Sequence, residues 1–224
     1  MRNAALAAVA LAAAAVGVAT ANPHAIALPM LLAALAIVAG GLAWLEHGPD
    51  RAKEVAVVAT LGAVAAVGHV ILHPVPGVQP VTLITVATGA ALGVRAGVGV
   101  GLVAPFVSNF ALGQGPWTLW QMLAWGTCGA IGAALAPLLR RRLVFAAVLG
   151  LLGLAFSAGM DIWSWSAYYE QHTWATFVAN EVRGFPFDVS HAVGNVVFAL
   201  VAGPELLRLL ERFGRRLRAE VVWV

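Results

Sequence analysis

The chain has 224 residues, of which 61% are hydrophobic and only 10% are charged. About a quarter of the residues of a soluble domain are charged, so this composition argues against a disordered chain, a coiled coil or a nucleic-acid-binding protein, despite the net charge of +3. It predicts an integral membrane protein built of α-helices. Cys128 is the sole cysteine of the sequence, which excludes an intrachain disulfide and a CxxC metal site.

Apolar segments along the chain predict an all-α, polytopic membrane protein with about eight transmembrane helices. Residues 1–50 form a two-helix N-terminal segment, residues 51–213 form a six-helix core, and residues 214–224 form a basic tail. The fourth and fifth segments are short, rich in glycine and separated only by Arg95. The predicted segments are Asn3–Ala21, Ile26–Leu45, Glu54–Leu72, Pro80–Val94, Ala96–Leu112, Pro116–Leu139, Leu143–Met160 and Pro186–Gly203.

The first segment admits two interpretations. Arg2, an alanine-rich run and Ala19-Thr20-Ala21 are typical of a secretory signal with its cleavage site. The length of the run instead favours an uncleaved first transmembrane helix, which is our expectation. Either choice leaves the topology of the later segments unchanged.

The positions of the basic residues predict the orientation. If the N-terminus is cytoplasmic and the segments alternate, every lysine and arginine except Arg183 falls in a cytoplasmic segment. Basic residues are enriched in the cytoplasmic loops of membrane proteins. We therefore expect an even number of spans, with both termini in the cytoplasm.

The opposite, external side is rich in aromatic and polar residues. Its tryptophans are typical either of an interfacial aromatic belt or of an aromatic pocket that opens outward. Asp188, His191 and Asn195 share one helix face, and they either bond neighbouring helices or line a substrate cavity. The tryptophans on or near this side are Trp117, Trp120, Trp125, Trp163, Trp165 and Trp174.

Small residues recur four apart in the third, fourth and fifth segments, for example Ala59/Ala63, Gly62/Ala66 and Gly97/Gly101. Such pairs allow close helix packing in lipid, either within the bundle or against another membrane subunit. His69 and His73 are also four apart, a spacing found in metal sites. The sequence has no phosphate-binding loop and no nucleophile paired with a base, so we expect neither enzymatic activity nor ATP hydrolysis.

Three stretches carry a family resemblance. They are Pro76–Val81, Gly89–Gly97 and Ser108–Met122, the last of which reads SNFALGQGPWTLWQM. Together they resemble the substrate-binding S component of energy-coupling factor (ECF) vitamin transporters, most closely the cobalamin-like branch. The resemblance covers about Lys53 to Phe213.

The resemblance implies a substrate-specific subunit in a bacterial plasma membrane. Such a subunit binds its vitamin from outside, weakly favouring cobalamin or a relative here, and delivers it to a T component that carries two ATPase subunits. It needs no cofactor and no resident metal. Because the family's AxxxA docking motif lies in the first core helix, Ala59 and Ala63 are the candidate docking residues.

Candidate substrate-binding residues come from two sources. The resemblance to the family's outward-facing site implies Gln79, Asn109, Gln114, Trp117 and Gln121. The polar and aromatic pattern of the external side adds Trp120, Asp161, Trp165, His191 and Asn195.

Two departures and two rival functions accompany this prediction. No histidine follows the initiator methionine, which disfavours nickel or cobalt uptake, and the two N-terminal helices are additional to the usual six. One rival function is a membrane scaffold that transports nothing. The other is an intramembrane metal-binding protein that uses His69 and His73.

Overall fold

A computed structural model of the protein describes residues 51–218 continuously and, before them, only Ala36 and Gly40. Apart from Ala36 and Gly40, the two predicted N-terminal segments, with Ala19-Thr20-Ala21, lie outside the described residues, as do the last residues of the basic tail. The predicted six-helix core, residues 51–213, lies inside them. The fold, the candidate site and the docking face are therefore those of residues 51–218.

Residues 51–218 are all-helical and contain no β-strand, which confirms the predicted all-α class but not the predicted count of eight spans. Four of the helices are long and apolar enough to cross a membrane, namely α1, α3, α5 and α6, whereas the apolar α2 is shorter. The predicted boundary between core and tail, at residues 213 and 214, lies within α7. The helices are α1 (Arg51–Leu72), α2 (Val81–Leu92), α3 (Val94–Leu112), α4 (Trp117–Ala134), α5 (Arg142–Tyr168), α6 (Trp174–Val201) and α7 (Gly203–Arg218).

Helix α2 occupies the centre of the bundle and contacts every other helix of the described residues. Its residues from Val81 to Gly89 are all buried, so no face of this stretch is left for lipid. The hydroxyls of Thr85 and Thr88 donate to the carbonyls of Val81 and Ile84, each at 2.6 Å. These local bonds satisfy polar groups that would otherwise destabilise a buried helix.

Glycines allow α2, α3 and α4 to pack backbone against backbone. A Cβ added to Gly89 would lie 2.0 Å from the carbonyl oxygen of Gly129, and one added to Gly129 would lie 2.3 Å from that of Gly97. Helices approach this closely where small residues meet. Gly89 and Gly97 therefore serve internal packing, and Gly93 makes the turn between α2 and α3 with φ at 99°.

The hairpin of α5 and α6 corrects the predicted ends of the last two segments. Helix α5 continues past Met160, and α6 begins well before Pro186, which lies inside the helix. The prediction failed because Pro186 was taken for a helix start, whereas Thr173 caps α6 by accepting a hydrogen bond from the backbone N–H of Thr176. Helices of 27 and 28 residues are about 40 Å long and exceed the roughly 30 Å hydrocarbon core.

The basic end of the bundle contains the beginning of α1, the α2–α3 and α4–α5 connections and helix α7. Ion pairs join these parts, since Arg95 contacts Glu54 at 3.3 Å and Arg140 contacts Glu211 at 3.1 Å. Leu207 and Leu210 of α7 are buried in the core, whereas Arg212 on the same helix is exposed. Helix α7 is therefore an amphipathic helix with one basic face.

Cysteine labelling tests which end faces the cytoplasm. Arg141 and Gln171 are exposed at opposite ends of the bundle, and the native Cys128 is buried. With the predicted orientation, a membrane-impermeant maleimide applied to intact cells should label Gln171→Cys but not Arg141→Cys. Labelling of both after permeabilisation is the control, and the reverse pattern in intact cells would invert the predicted topology.

Candidate functional site

Polar and aromatic side chains from six helices converge in the interior, in what we call the central cluster. It comprises His69, Thr82, Ser108, Trp125, Phe156, His191 and Asn195, all of which are buried. Helices α1 to α6 each contribute at least one member. Buried polar side chains inside a membrane bundle are rare and indicate a function or a necessary interhelical bond.

Trp125 connects the two sides of the central cluster. Its indole Nε1–H donates to the Thr82 hydroxyl at 3.0 Å, and its ring meets that of His69 edge-on with centroids 5.4 Å apart. His69 Nδ1 is 2.9 Å from the hydroxyl oxygen of Ser108. A buried tryptophan needs an acceptor for its N–H, and Thr82 provides this acceptor from the buried helix α2.

Phe156 extends the cluster to helix α6. Its ring stacks on Trp125 at 4.4 Å and lies 5.1 Å from the ring of His191. His191 Nδ1 donates to the carbonyl oxygen of Gly77 at 2.7 Å, and Asn195 Nδ2 donates to His191 Nε2 at 3.2 Å. A carbonyl can only accept, so these bonds fix the neutral tautomer of His191 with its proton on Nδ1.

Asn195 is the exception to this pairing. Its side chain is 1% exposed, yet its Oδ1 has no hydrogen-bond partner among the described residues. Gly153 makes room for the amide, because a Cβ at that position would lie 2.8 Å from Asn195 Nδ2. The central cluster therefore contains one unused acceptor. Burial of an acceptor without a donor destabilises a protein by about 1–3 kcal/mol.

The motif residues between α3 and α4 form a separate amide network next to the central cluster. Asn109 Nδ2 donates to Thr118 Oγ1 at 2.9 Å and to Gln121 Oε1 at 2.7 Å. Gln114 accepts from the Thr118 hydroxyl at 2.9 Å and donates to the carbonyl of Phe106 at 2.8 Å. These hydrogen bonds stabilise the connection between α3 and α4. Some polar side chains of this motif therefore stabilise the fold.

The remaining predicted site residues do not all join these two groups. Gln79 lies beside His69, and Trp117 packs edge-on against Trp163 at 5.9 Å. Trp165 donates to Thr176 at 3.0 Å near the end of the α5–α6 hairpin. The Asp161 carboxyl lies beside Asp188.

Trp120 faces away from the central cluster. It is 38% exposed and lines an apolar groove of about 310 Å³ between α4 and α5. Phe156 lines the same groove from α5. Phe156 is thus a member of the central cluster that also borders the groove.

Helix α1 carries two small-residue faces with opposite environments. Gly62 and Ala66 are buried, and a Cβ at Gly62 would lie 2.7 Å from Val103 Cγ1 of α3. Ala59 and Ala63 are exposed to the surroundings of the described bundle. The sequence pattern could not distinguish the two faces, whereas the structure assigns packing to the first and leaves the second as a contact surface.

His69 and His73 differ in environment. His69 is buried with Nδ1 at Ser108, and His73 is exposed beyond the end of α1. Among the residues that the structure describes, no three histidine, cysteine or acidic side chains are grouped as metal ligands.

Thr82 and Phe156 were not predicted as site residues, and Trp125 was noted only among the outer aromatic residues. A tryptophan in the middle of an apolar span is itself a signal, because its N–H needs a buried partner. Phe156 offers no comparable signal in the sequence, since a phenylalanine in an apolar helix is ordinary.

Comparisons with protein families, with curated proteins and with solved structures find no match to this chain.

Proposed function

We propose that the protein is the substrate-binding S component of an ECF-type transporter and binds a vitamin at the end opposite to the basic end. The family resemblance of Pro76–Val81 and Ser108–Met122 motivates this proposal. The central cluster supports it, because Gly77 and Ser108 from these stretches contact His191 and His69 of the cluster. Cobalamin or a related vitamin is the favoured substrate class.

The unpaired Oδ1 of Asn195 is the observation on which the proposal rests. His191 donates to the carbonyl of Gly77, and Asn195 Nδ2 donates to His191 Nε2. Neither hydrogen bond involves Asn195 Oδ1, which has no partner among the described residues. A guest with an N–H or O–H donor would satisfy it, and discrimination against analogues without that donor would follow. Aromatic faces at Trp125, Phe156 and His191 favour a planar heterocyclic or conjugated part of the guest.

Access requires a rearrangement, because the rings of Trp125 and Phe156 are in stacking contact. The groove between α4 and α5 gives Phe156 space on its other side. A guest that displaces the Phe156 ring into this groove would reach His191 and Asn195. The proposed binding step therefore begins with a movement of the Phe156 side chain into this groove.

Substitution of Asn195 tests the proposal. Asn195→Leu removes the unused acceptor together with the amide donor to His191 Nε2 and should weaken binding of the vitamin by about 1–3 kcal/mol; the folded yield of the variant is measured alongside. Affinity would be measured calorimetrically, after mass spectrometry of small molecules that copurify with the wild-type protein has identified the ligand.

Leu151→Ala is the control, because Leu151 is exposed on α5 and belongs neither to the central cluster nor to the groove that would receive the Phe156 ring. It should leave affinity unchanged. Equal affinity of Asn195→Leu and wild type would place the guest elsewhere. A wild-type protein that retains and binds none of a vitamin panel would favour the transport-inactive scaffold.

A further inference from the structure

A second groove, of about 450 Å³, lies between α1 and α7 at the basic end of the bundle. On its α7 wall, the apolar Leu209 and Phe213 are 56% and 43% exposed. Its α1 wall includes the small residues Ala56 and Thr60, and the Thr60 hydroxyl is satisfied within α1 because it donates to the Ala56 carbonyl at 2.8 Å. The groove therefore suits an apolar occupant. Its lining residues are Lys53, Ala56, Val57, Thr60, Leu61, Leu209, Leu210 and Phe213.

The groove continues as an exposed apolar stripe along α1. Val64, Val67 and Ile71 follow Thr60 at spacings of four, seven and eleven residues, so they lie on the same helix face. Their side chains are 54%, 57% and 67% exposed. A helix of 22 residues is about 33 Å long, which matches the roughly 30 Å hydrocarbon core. The exposed side of α1 thus has room for a whole transmembrane helix beside it.

The chain that precedes α1 provides a segment of this length next to the groove. The predicted second segment, Ile26–Leu45, is separated from Arg51 only by residues 46–50. This linker contains Gly48-Pro49, which is typical of a turn, and it spans at most about 20 Å. Connections this short join antiparallel neighbouring helices. We therefore expect the second segment to return beside α1 from the basic end.

The second segment has a small-residue face in register with the small residues of the groove. Gly40 and Ala56 are each five residues from the helix end nearest the linker, and Ala36 and Thr60 are each nine residues from it. Antiparallel helices would place the members of each pair at the same depth. Ala36 and Gly40 are the residues of this segment that the structure describes, and both are helical and partly buried. The small residues of this face, at spacings of three, four and three, are Ala33, Ala36, Gly40 and Ala43.

We propose that the second segment, Ile26–Leu45, fills the groove between α1 and α7 as a helix antiparallel to α1. Gly40 then meets Ala56, and Ala36 meets Thr60. Helices in lipid associate through close packing of small residues, which both partners supply here. A lipid chain would cover the same groove but would leave the small face of the segment without a partner. This contact makes the N-terminal segment part of the bundle and does not depend on the proposed transport function.

Disulfide cross-linking of the full-length protein in membranes tests this contact. The background is Cys128→Ala, which removes the sole native cysteine, and a protease site is inserted into the linker. Oxidation should join Ala36→Cys to Thr60→Cys, because a disulfide needs Cα atoms within about 7 Å. The cleaved protein should then remain one band on a non-reducing gel and separate into two bands after reduction.

Two control pairs keep one cysteine and move the other. Val38→Cys with Thr60→Cys uses the opposite face of the segment, and Ala36→Cys with Ile71→Cys uses the far end of α1. Both should cross-link at most about a tenth as much, since their Cα atoms would lie beyond the roughly 7 Å limit. Equal cross-linking of the controls, or linkage between two copies in place of linkage within one, would overturn the proposal.

A second pair and a larger side chain complete the test. Gly40→Cys with Ala56→Cys examines the same contact one turn nearer the linker if the first pair folds poorly, as judged by size-exclusion chromatography. Absence of linkage in folded protein with either pair overturns the proposal. Gly40→Leu should abolish linkage of the first pair by separating the helices, whereas Gly41→Leu, about 100° around the helix, should preserve it. Loss of linkage in both leucine variants, or in neither, would contradict the proposed packing face.

Discussion

Replacement of Gly129 by alanine should destabilise the protein by about 3 kcal/mol or more, the upper range for overpacking. The added methyl group would lie 2.3 Å from both the carbonyl carbon and the oxygen of Gly97 and 2.8 Å from the amide nitrogen of Val98. All three atoms belong to backbone, which cannot rotate away as a side chain can. Relief would require α3 and α4 to separate along their contact. The measurement is thermal inactivation in detergent, followed by size-exclusion chromatography.

Gly159→Ala is the matched control for this substitution. Gly159 is also helical, but no atom lies within 4 Å of the Cβ that alanine would add. Alanine is favoured over glycine in a helix by about 0.5–1 kcal/mol, so this variant should be as stable as the wild type or slightly more stable. A Gly129→Ala protein that is as stable as Gly159→Ala would contradict the backbone contact between α3 and α4.

If the protein is the S component proposed above, leucine at Ala59 or Ala63 should abolish its association with a T component and ATPase subunits while vitamin binding persists. Both alanines are exposed on α1, so the larger side chain creates no clash inside the bundle. It would instead hold a partner helix away from the close approach that small residues permit. Co-purification of the assembled complex and calorimetry of the isolated subunit measure the two properties separately.

Ala158→Leu provides the control, since Ala158 is an exposed alanine on α5. It should neither weaken assembly nor change binding. Intact complexes with Ala59→Leu and Ala63→Leu would show that this face of α1 contacts only lipid or another part of the chain. Loss of vitamin binding in the same variants would indicate a folding defect.

The membrane class and the helical fold followed from composition, because so apolar a chain can hide its backbone polar groups in a bilayer only as helices or a closed barrel. The exact ends of α5 and α6 did not follow. The polar residues between positions 161 and 185 are typical of a loop, but in the structure they form hydrogen bonds between α5 and α6. For example, Ser164 donates to Asn180 Oδ1 at 3.1 Å, and Asn180 donates to the carbonyl of Asp161 at 3.0 Å.

The candidate site could be predicted only in part. A polar residue in an apolar span was recognisable as unusual, as for Asn109, His191 and Asn195. The sequence did not show that Asn109 is engaged by Thr118 and Gln121 while Asn195 retains an unused acceptor. Such differences depend on which helices are neighbours, which is a property of the packed bundle and not of local spacing.

The central position of α2 has a mechanical consequence. Its 12 residues form a rod of about 18 Å that is enclosed by protein and is therefore insensitive to bilayer thickness. One end supplies Thr82 to Trp125, and the other packs Gly89 against Gly129. Because α2 also contacts α7, its position depends on the packing of the other helices, and a substitution that shifts α2 would disturb Trp125 at one end and α7 at the other.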